Sequence, residues 1–295
     1  MAFEENSPKA ALAGDPTSQS GNNWFITGAS TGFGYLLTEY LATLGAKVIA
    51  TARKPESLAA LAAKYPDSIF PEPLDVTKPE QIEAAVRNAL AKLGHIDVLV
   101  NNAGYGVNGA IEEVSEDELR PMFETNVFGL LNVTKALLPQ FRARRSGNIV
   151  NLSSIGGLIG SPGWGYYNAS KFAVEGLSQA LHGEMTPLGV HVTVVEPGPF
   201  RTDFLGRSGQ EAAAEIDDYR DTAGKAREYL RTQSGLQPGD PQKAIAAIVA
   251  AISAPVPPKH LLLGKLAIQR WKNQLAALGT ELEQWEAFGA ATDFD

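Results

Sequence analysis

Short apolar runs alternate along the chain with longer stretches whose apolar residues recur every three or four positions. The first run, 24–27, ends at Gly28 and reads as a strand entering a glycine turn. Leu36, Leu37, Tyr40, Leu41 and Leu44 then share one face of a helix over 35–44, with Gly45 as its C-terminal cap. Residues 48–51 read as a second strand, 56–64 as a short helix behind Pro55, and 69–74 as a third strand made irregular by Pro71 and Pro73. The clearest helix is 79–93. Ile82, Ala85, Val86, Ala89, Leu90 and Leu93 lie on one side, and Thr77 and Glu80 have capping-box spacing. Residues 96–100 are almost all apolar, as expected of a parallel strand covered on both faces. A long helix is expected over 116–144, opened by a second box at Ser115 and Glu118. A strand at 148–152, a helix at 167–186 and a strand at 190–196 follow.

This alternation predicts an α/β fold: a Rossmann-type, doubly wound parallel sheet of seven strands with helices on both faces. The segment 200–240 breaks the rhythm, being polar and at best loosely helical. Inserted after the sixth strand, it lies at the ligand-binding edge of such a sheet and is expected to be a substrate lid. Residues 241–252 read as a helix, 261–263 as the seventh strand and 265–288 as a closing amphipathic helix. One domain is expected over 23–295, preceded by a polar, mostly disordered lead-in over 1–22.

Apolar residues make up 44% of the chain and charged residues 20%, enough for a large core and too few charges for global disorder. The net charge is −8 and no basic run is present, so a nucleic-acid partner is not expected. The chain has no cysteine, which excludes a disulfide framework, a thiolate-bound metal and thiol catalysis. That fits a reducing compartment, and a cytoplasmic location is expected. The N-terminal stretch lacks the apolar centre of a signal peptide, and no apolar stretch is long enough for a membrane span. The histidines at 95, 182, 191 and 260 have no metal-ligand spacing, so no metal is expected.

Candidate chemistry begins at Thr27-Gly28-Ala29-Ser30-Thr31-Gly32-Phe33-Gly34, between the first strand and the first helix. Glycines there permit a tight turn and close approach of the backbone to a ligand. The helix N-terminus offers free N–H groups and partial positive charge to a pyrophosphate. The spacing T-G-x-x-x-G-x-G resembles the nicotinamide-nucleotide turn of the short-chain dehydrogenase/reductase family. The resemblance continues in order: Asn101-Asn102-Ala103-Gly104 after the fourth strand, Asn126 in the long helix, Ser154 at the end of the fifth strand, and Tyr167-x-x-x-Lys171 opening the next helix. Pro197-Gly198 follows the sixth strand, with Phe200 and Thr202 beyond it. It is close over 24–205 and looser elsewhere.

Reducing a ketone requires a hydride donor, a proton donor and a group that polarises the carbonyl. Tyr167 and Lys171 are four apart and share a helical face. A neighbouring ammonium is expected to lower the phenol's pKa from about 10, making Tyr167 the acid in reduction and the base in oxidation. Strand alternation lets only one of Ser153 and Ser154 face the site, and the family spacing favours Ser154 as the carbonyl's hydrogen-bond donor. Asn126 can be read as a hydrogen-bonder to a neighbouring backbone; the resemblance gives it a water that leads to the lysine. The resemblance also implies cofactor contacts from Asp75, Val76, Asn102, Ala103 and Gly104.

The second strand ends Thr51-Ala52-Arg53-Lys54, without the carboxylate that grips the ribose hydroxyls in NAD-specific sites. Arg53 can pair with a 2′-phosphate, so NADP(H) is the expected cofactor. Thr31 stands where many NADP-dependent relatives carry a second basic residue, and Phe33 where Ile or Leu is commoner. The loop 156–166, with Trp164 and Tyr166, is expected to line the substrate pocket together with Tyr105, Val107 and Phe204. The expected activity is interconversion of a ketone or aldehyde with an alcohol. A 3-oxoacyl thioester reductase and a non-catalytic dinucleotide sensor are the rival readings; a sensor would be expected to lose the Tyr/Lys pair. The resemblance further implies a homodimer or homotetramer joined through 116–144 and 167–186.

Overall fold

The computed structural model describes residues 12–294. β1 (Asn23–Ile26), α1 (Gly32–Thr43), β2 (Lys47–Ala52), α2 (Ala59–Lys64) and β3 (Ile69–Pro73) open the fold. α3 (Pro79–Leu93) leads to β4 (Val98–Asn101) and the short β5 (Gly106–Asn108). α4 (Glu116–Phe123), a π-helical turn (Glu124–Gly129) and α5 (Leu130–Arg144) run end to end into β6 (Gly147–Leu152). Then come α6 (Gly165–Met185), β7 (Val190–Pro197), β8 (Gly209–Glu211), α7 (Lys225–Thr232) and α8 (Pro241–Ile252). β9 (His260–Leu263) and α9 (Lys265–Ala290) close the chain.

Seven parallel strands form one sheet in the order β3-β2-β1-β4-β6-β7-β9, the architecture expected from the alternation. Alternation along β1 shows why both faces are covered. Trp24 and Ile26 join Leu37 and Leu41 of α1 and Ile245 and Ile248 of α8 on one side. Phe25 joins Ile82 and Val86 of α3 and Leu137 and Phe141 of α5 on the other. All four β1 residues are buried, so neither core can slip in register without exposing the other.

Three local expectations change. Thr77 and Glu80 do not form a capping box: Lys78 is the N-cap of α3, and the Thr77 hydroxyl instead donates to Asp75 Oδ1 at 2.8 Å. The second box does form, with Ser115 N donating to Glu118 Oε2 at 2.8 Å. The expected helix 116–144 is interrupted by the π turn at Glu124–Gly129, where a wider turn absorbs an extra residue without ending the helix. The expected disorder of 1–22 fails over 12–22, whereas 1–11 lie outside the described residues. Pro16–Gln19 form a 3₁₀ turn, Gly14 N donates to Ala250 O at 2.9 Å, and buried Gln19 donates to Ser253 Oγ at 3.1 Å. Polar composition does not reveal that these groups find partners at the end of α8. No helix among the described residues is long and apolar enough to cross a membrane.

Candidate active site

The strand order reverses between β1 and β4, leaving a crevice beyond their C-terminal ends. The loops there are stitched together. Thr27 Oγ1 accepts from Asn102 N at 2.9 Å and Ala103 N at 3.0 Å. Asn102 Nδ2 returns bonds to the carbonyls of Thr27 and Gly28, both at 2.9 Å. Gly28 and Gly32 have φ of +67° and +55°, in the left-handed region that glycine tolerates. Gly34 is needed for a different reason. A Cβ there would sit 2.4 Å from Gly28 O and 2.5 Å from Asn102 Nδ2. Gly34 therefore does not line the crevice; it lets α1 start close against β1, with its free N–H groups facing the opening.

A cavity of about 980 Å³ runs along this edge. Gly28, Ser30, Thr31, Gly32 and Phe33 form one wall. Arg53, Asp75 and Val76 lie at the end beyond β2 and β3, and Asn102, Ala103 and Gly104 form the floor. Pro197, Gly198, Phe200 and Thr202 complete the opposite wall, where Phe200 meets Phe33 edge-on at 5.4 Å between centroids. The cradle fits a dinucleotide: backbone rather than side chains borders it at the glycines, and Arg53 is exposed at its rim.

Ser154, Tyr167 and Lys171 meet on the same cavity. Ser154 leaves the end of β6, and its Oγ accepts from Gly156 N at 3.0 Å. Ser153 faces the other way, beside Glu175. Tyr167 and Lys171 share a face of α6, with Lys171 Nζ 5.8 Å from the phenol ring centroid. Burial pushes the Tyr167 phenol up to about 12, and the Ser154 hydroxyl beside it pulls the other way only in part. The expectation that Lys171 lowers this pKa is therefore corrected: burial governs it. The lysine's ammonium donates to Leu152 O at 2.7 Å, and burial pushes Lys171 itself down to about 8. Burial disfavours the charged form of both groups and outweighs their proximity.

Asn126 does not line the cavity. The π turn aims it at the segment after β4, where Oδ1 accepts from Tyr105 N at 3.0 Å and Nδ2 donates to Tyr105 O at 2.7 Å. Nδ2 also donates to Ser170 Oγ at 3.1 Å. It is thus a backbone clamp placed beside the lysine: a methyl added at Gly104 would lie 3.0 Å from Asn126 Oδ1 and 3.6 Å from Lys171 Nζ.

The cavity is aromatic around Tyr167. Trp164 and Phe204 each stand 5.7 Å from the Tyr167 ring, and Tyr105 borders the same space. The expected Tyr166 and Val107 do not line it; Val107 is buried in β5 beneath. Residues missed from sequence include Leu205, Gln210, Tyr229, Gln237 and Arg270. Gln237 is 2% exposed, and neither of its amide atoms has a hydrogen-bond partner, so a ligand in the cavity would find it unsatisfied.

The segment 200–240 is more ordered than its composition suggests. β8 pairs in parallel with β5, and α7 carries Arg227 inward to Glu113 at 2.9 Å, with both side chains at most 3% exposed. Glu113 also accepts from Ala110 N and Ile216 N, both at 2.8 Å. Burial would raise this carboxyl's pKa, but the two amides and the guanidinium hold it below the usual range.

Behind Lys171 lies a cluster that histidine spacing alone could not reveal. His260 Nδ1 is 2.6 Å from Glu196 Oε1 and 3.8 Å from Glu175 Oε2. Both carboxyl groups are buried, and burial pushes Glu175 up to about 7 and Glu196 up to about 8. The three side chains come from α6, β7 and β9, and their donor atoms lie within 4.8 Å of one another.

Fold, glycine turn and the Ser-Tyr-Lys group together define a dinucleotide-dependent oxidoreductase of the α/β class. The short chain dehydrogenase family profile matches residues 22–213, and the chain belongs to that family. It is 39% identical over 248 residues to a 3-ketodihydrosphingosine reductase of Bacteroides thetaiotaomicron, covering 82% of this chain and 87% of the relative. A short-chain dehydrogenase of Streptomyces avermitilis superposes with a TM-score of 0.88 at 43% identity, over 93% of this chain and all of that one. A short chain dehydrogenase of Burkholderia cenocepacia, solved in complex with NADP, superposes with a TM-score of 0.70 at 25% identity. That match covers 90% of this chain and 97% of the other.

Proposed function

We propose that the protein uses NADP(H) to interconvert a bulky, largely apolar ketone or aldehyde with its alcohol. The observation that carries this reading is the convergence of Ser154, Tyr167 and Lys171 on the cavity whose far end is the glycine turn. When bound, the dinucleotide supplies or accepts the hydride. Ser154 Oγ donates to the carbonyl oxygen, where negative charge grows during reduction. Tyr167 gives that oxygen its proton, and takes it back in oxidation. A phenol held near 12 by burial is protonated at neutral pH, which suits reduction. Lys171 holds the ribose and its ammonium supports the phenolate when one forms. Asn126 keeps the Tyr105 backbone and the lysine's surroundings in place.

Arg53 supports NADP(H) over NAD(H), as does the NADP-bound relative. The aromatic wall of Trp164, Tyr105 and Phe204 supports an apolar substrate, and the ketosphingoid relative has a substrate of that kind. Residues 200–240 act as the lid over this end. The test follows loss of reduced-nicotinamide absorbance with NADPH and with NADH against a panel of ketones and aldehydes. Tyr167→Phe is expected to cut turnover by about 10²–10⁴-fold while cofactor binding persists. Near-full turnover of that variant would overturn the assignment. Arg53→Glu is expected to weaken NADPH far more than NADH, and equal losses would refute the cofactor choice.

A further inference from the structure

α9 spans 26 residues, about 39 Å at the helical rise. Only its first part is seated on the fold: Ala267 is buried, and Arg270 Nη2 donates to Ser161 Oγ at 2.9 Å. From Leu275 onward the apolar side chains stand in solvent. Leu275, Leu278, Leu282 and Trp285 are 46–67% exposed. Most helical stability in proteins comes from packing an apolar face, and these side chains are exposed.

The spacing points to a partner helix. Ile268, Leu275 and Leu282 are seven apart, and Trp271, Leu278 and Trp285 repeat the same interval three residues on. Alternating steps of three and four make the a/d seam of a two-stranded coiled coil. The charges say which way it runs. The first half of α9 carries Lys265, Arg270 and Lys272 and no acid; the second carries Glu281, Glu283 and Glu286 and no base. This is the reverse of what a lone helix prefers, with cations at its positive end and anions at its negative end. An antiparallel copy eases this, because it turns the basic end of each helix toward the acidic end of the other, where a parallel copy would set like charges side by side.

We propose that residues 275–290 pair antiparallel with the same helix of a second copy of this chain, Leu275 stacking against the other copy's Trp285 and Leu278 against its Leu282. Lys272 then lies beside the other copy's Glu286. This surface is separate from the helices through which the family resemblance implies association, and it needs no assumption about the reaction.

The absence of native cysteine makes the test clean. Leu278→Glu with Leu282→Glu is expected to halve the sedimentation mass of the full chain, leaving the unfolding temperature of the body and any cofactor binding unchanged. Lys272→Glu and Glu286→Lys should each weaken association, and the double exchange should restore it. Leu275→Cys with Trp285→Cys should cross-link copies under mild oxidation, while Leu275→Cys alone should not. An unchanged mass in the Glu variant would overturn the proposal, as would cross-linking by Leu275→Cys alone, which signals a parallel pair. A wild-type chain that stays monomeric but sediments with phosphatidylglycerol vesicles would overturn it too.

Discussion

The two ends of the cavity are built by different means. At the end formed by the glycine turn, the wall is largely backbone. Glycines remove side chains, and the side chains of Thr27 and Asn102 tie two adjacent strand ends together by bonding the main chain opposite. At the other end, shape is held by side chains brought from far apart in sequence. Arg227 reaches Glu113 across 114 positions, and β8, from the segment after β7, pairs with the distant β5. The first design leaves a local signature; the second does not. It also predicts different failures, because damage at the first end should fall on cofactor binding and damage at the second on substrate use.

The largest effect is expected at the Arg227–Glu113 pair. Arg227→Leu leaves Glu113 buried without its cation, a defect that typically costs about 3–5 kcal/mol. If the loss is confined to 200–240, the substrate KM should rise steeply while dinucleotide affinity stays near wild type. Adding Glu113→Gln should recover part of the stability, because a neutral amide is cheaper to bury than an unpaired charge. Parallel losses in KM and in dinucleotide affinity, measured by titration, would show that the two ends are mechanically one.

Gly34→Ala probes the other end and should be smaller. Its Cβ would press on Gly28 O at 2.4 Å and Asn102 Nδ2 at 2.5 Å, and overpacking of this kind costs about 1–3 kcal/mol. The glycine turn would have to open, so dinucleotide affinity should fall at least tenfold while the mobility of 200–240 to limited proteolysis stays unchanged. A variant that binds the dinucleotide normally would show that the close start of α1 is not what shapes the cradle.

The same division explains what was legible in advance. Seven strands and their flanking helices could be read because burial on both faces writes unbroken apolar runs, as in Val98-Leu99-Val100. The glycine turn and Tyr167-x-x-x-Lys171 could be read because each completes its geometry within eight residues or fewer. The π turn could not, since a single extra residue inside a helix shifts the apolar phase too little to register. Arg227 was invisible because an arginine in a polar stretch reads as solvated unless its distant partner is known. The phenol's pKa was misjudged because proximity along a helix can be read from spacing and desolvation cannot. Glu175, Glu196 and His260 were overlooked as a group because they come from three separate elements.

That last cluster backs Lys171 where the two ends meet, and its titration sharpens the comparison by the smallest effect. Glu175 on α6 faces Lys171 of its own helix and Ser153 at the end of β6; Glu196 on β7 faces His260 on β9. With the carboxyl groups raised to about 7 and about 8, the folded chain keeps protons that the unfolded chain, at about 4.3, has already lost. Their contribution to stability is therefore full at acid pH and drains away as pH climbs toward 8. His191, depressed by burial, slopes the opposite way near its ordinary range, and Lys171, lowered to about 8, does so only above that value. Both groups remain in Glu196→Gln, so the difference from wild type isolates the carboxyl. Relative to wild type, the variant should be least favoured below pH about 4 and gain steadily from there, by a few degrees in unfolding temperature by pH about 8, because Gln has no proton to lose. Two unfolding curves that stay parallel across the whole range would mean that the buried pair is already ionised in the folded chain, its charge balanced by His260 and Lys171.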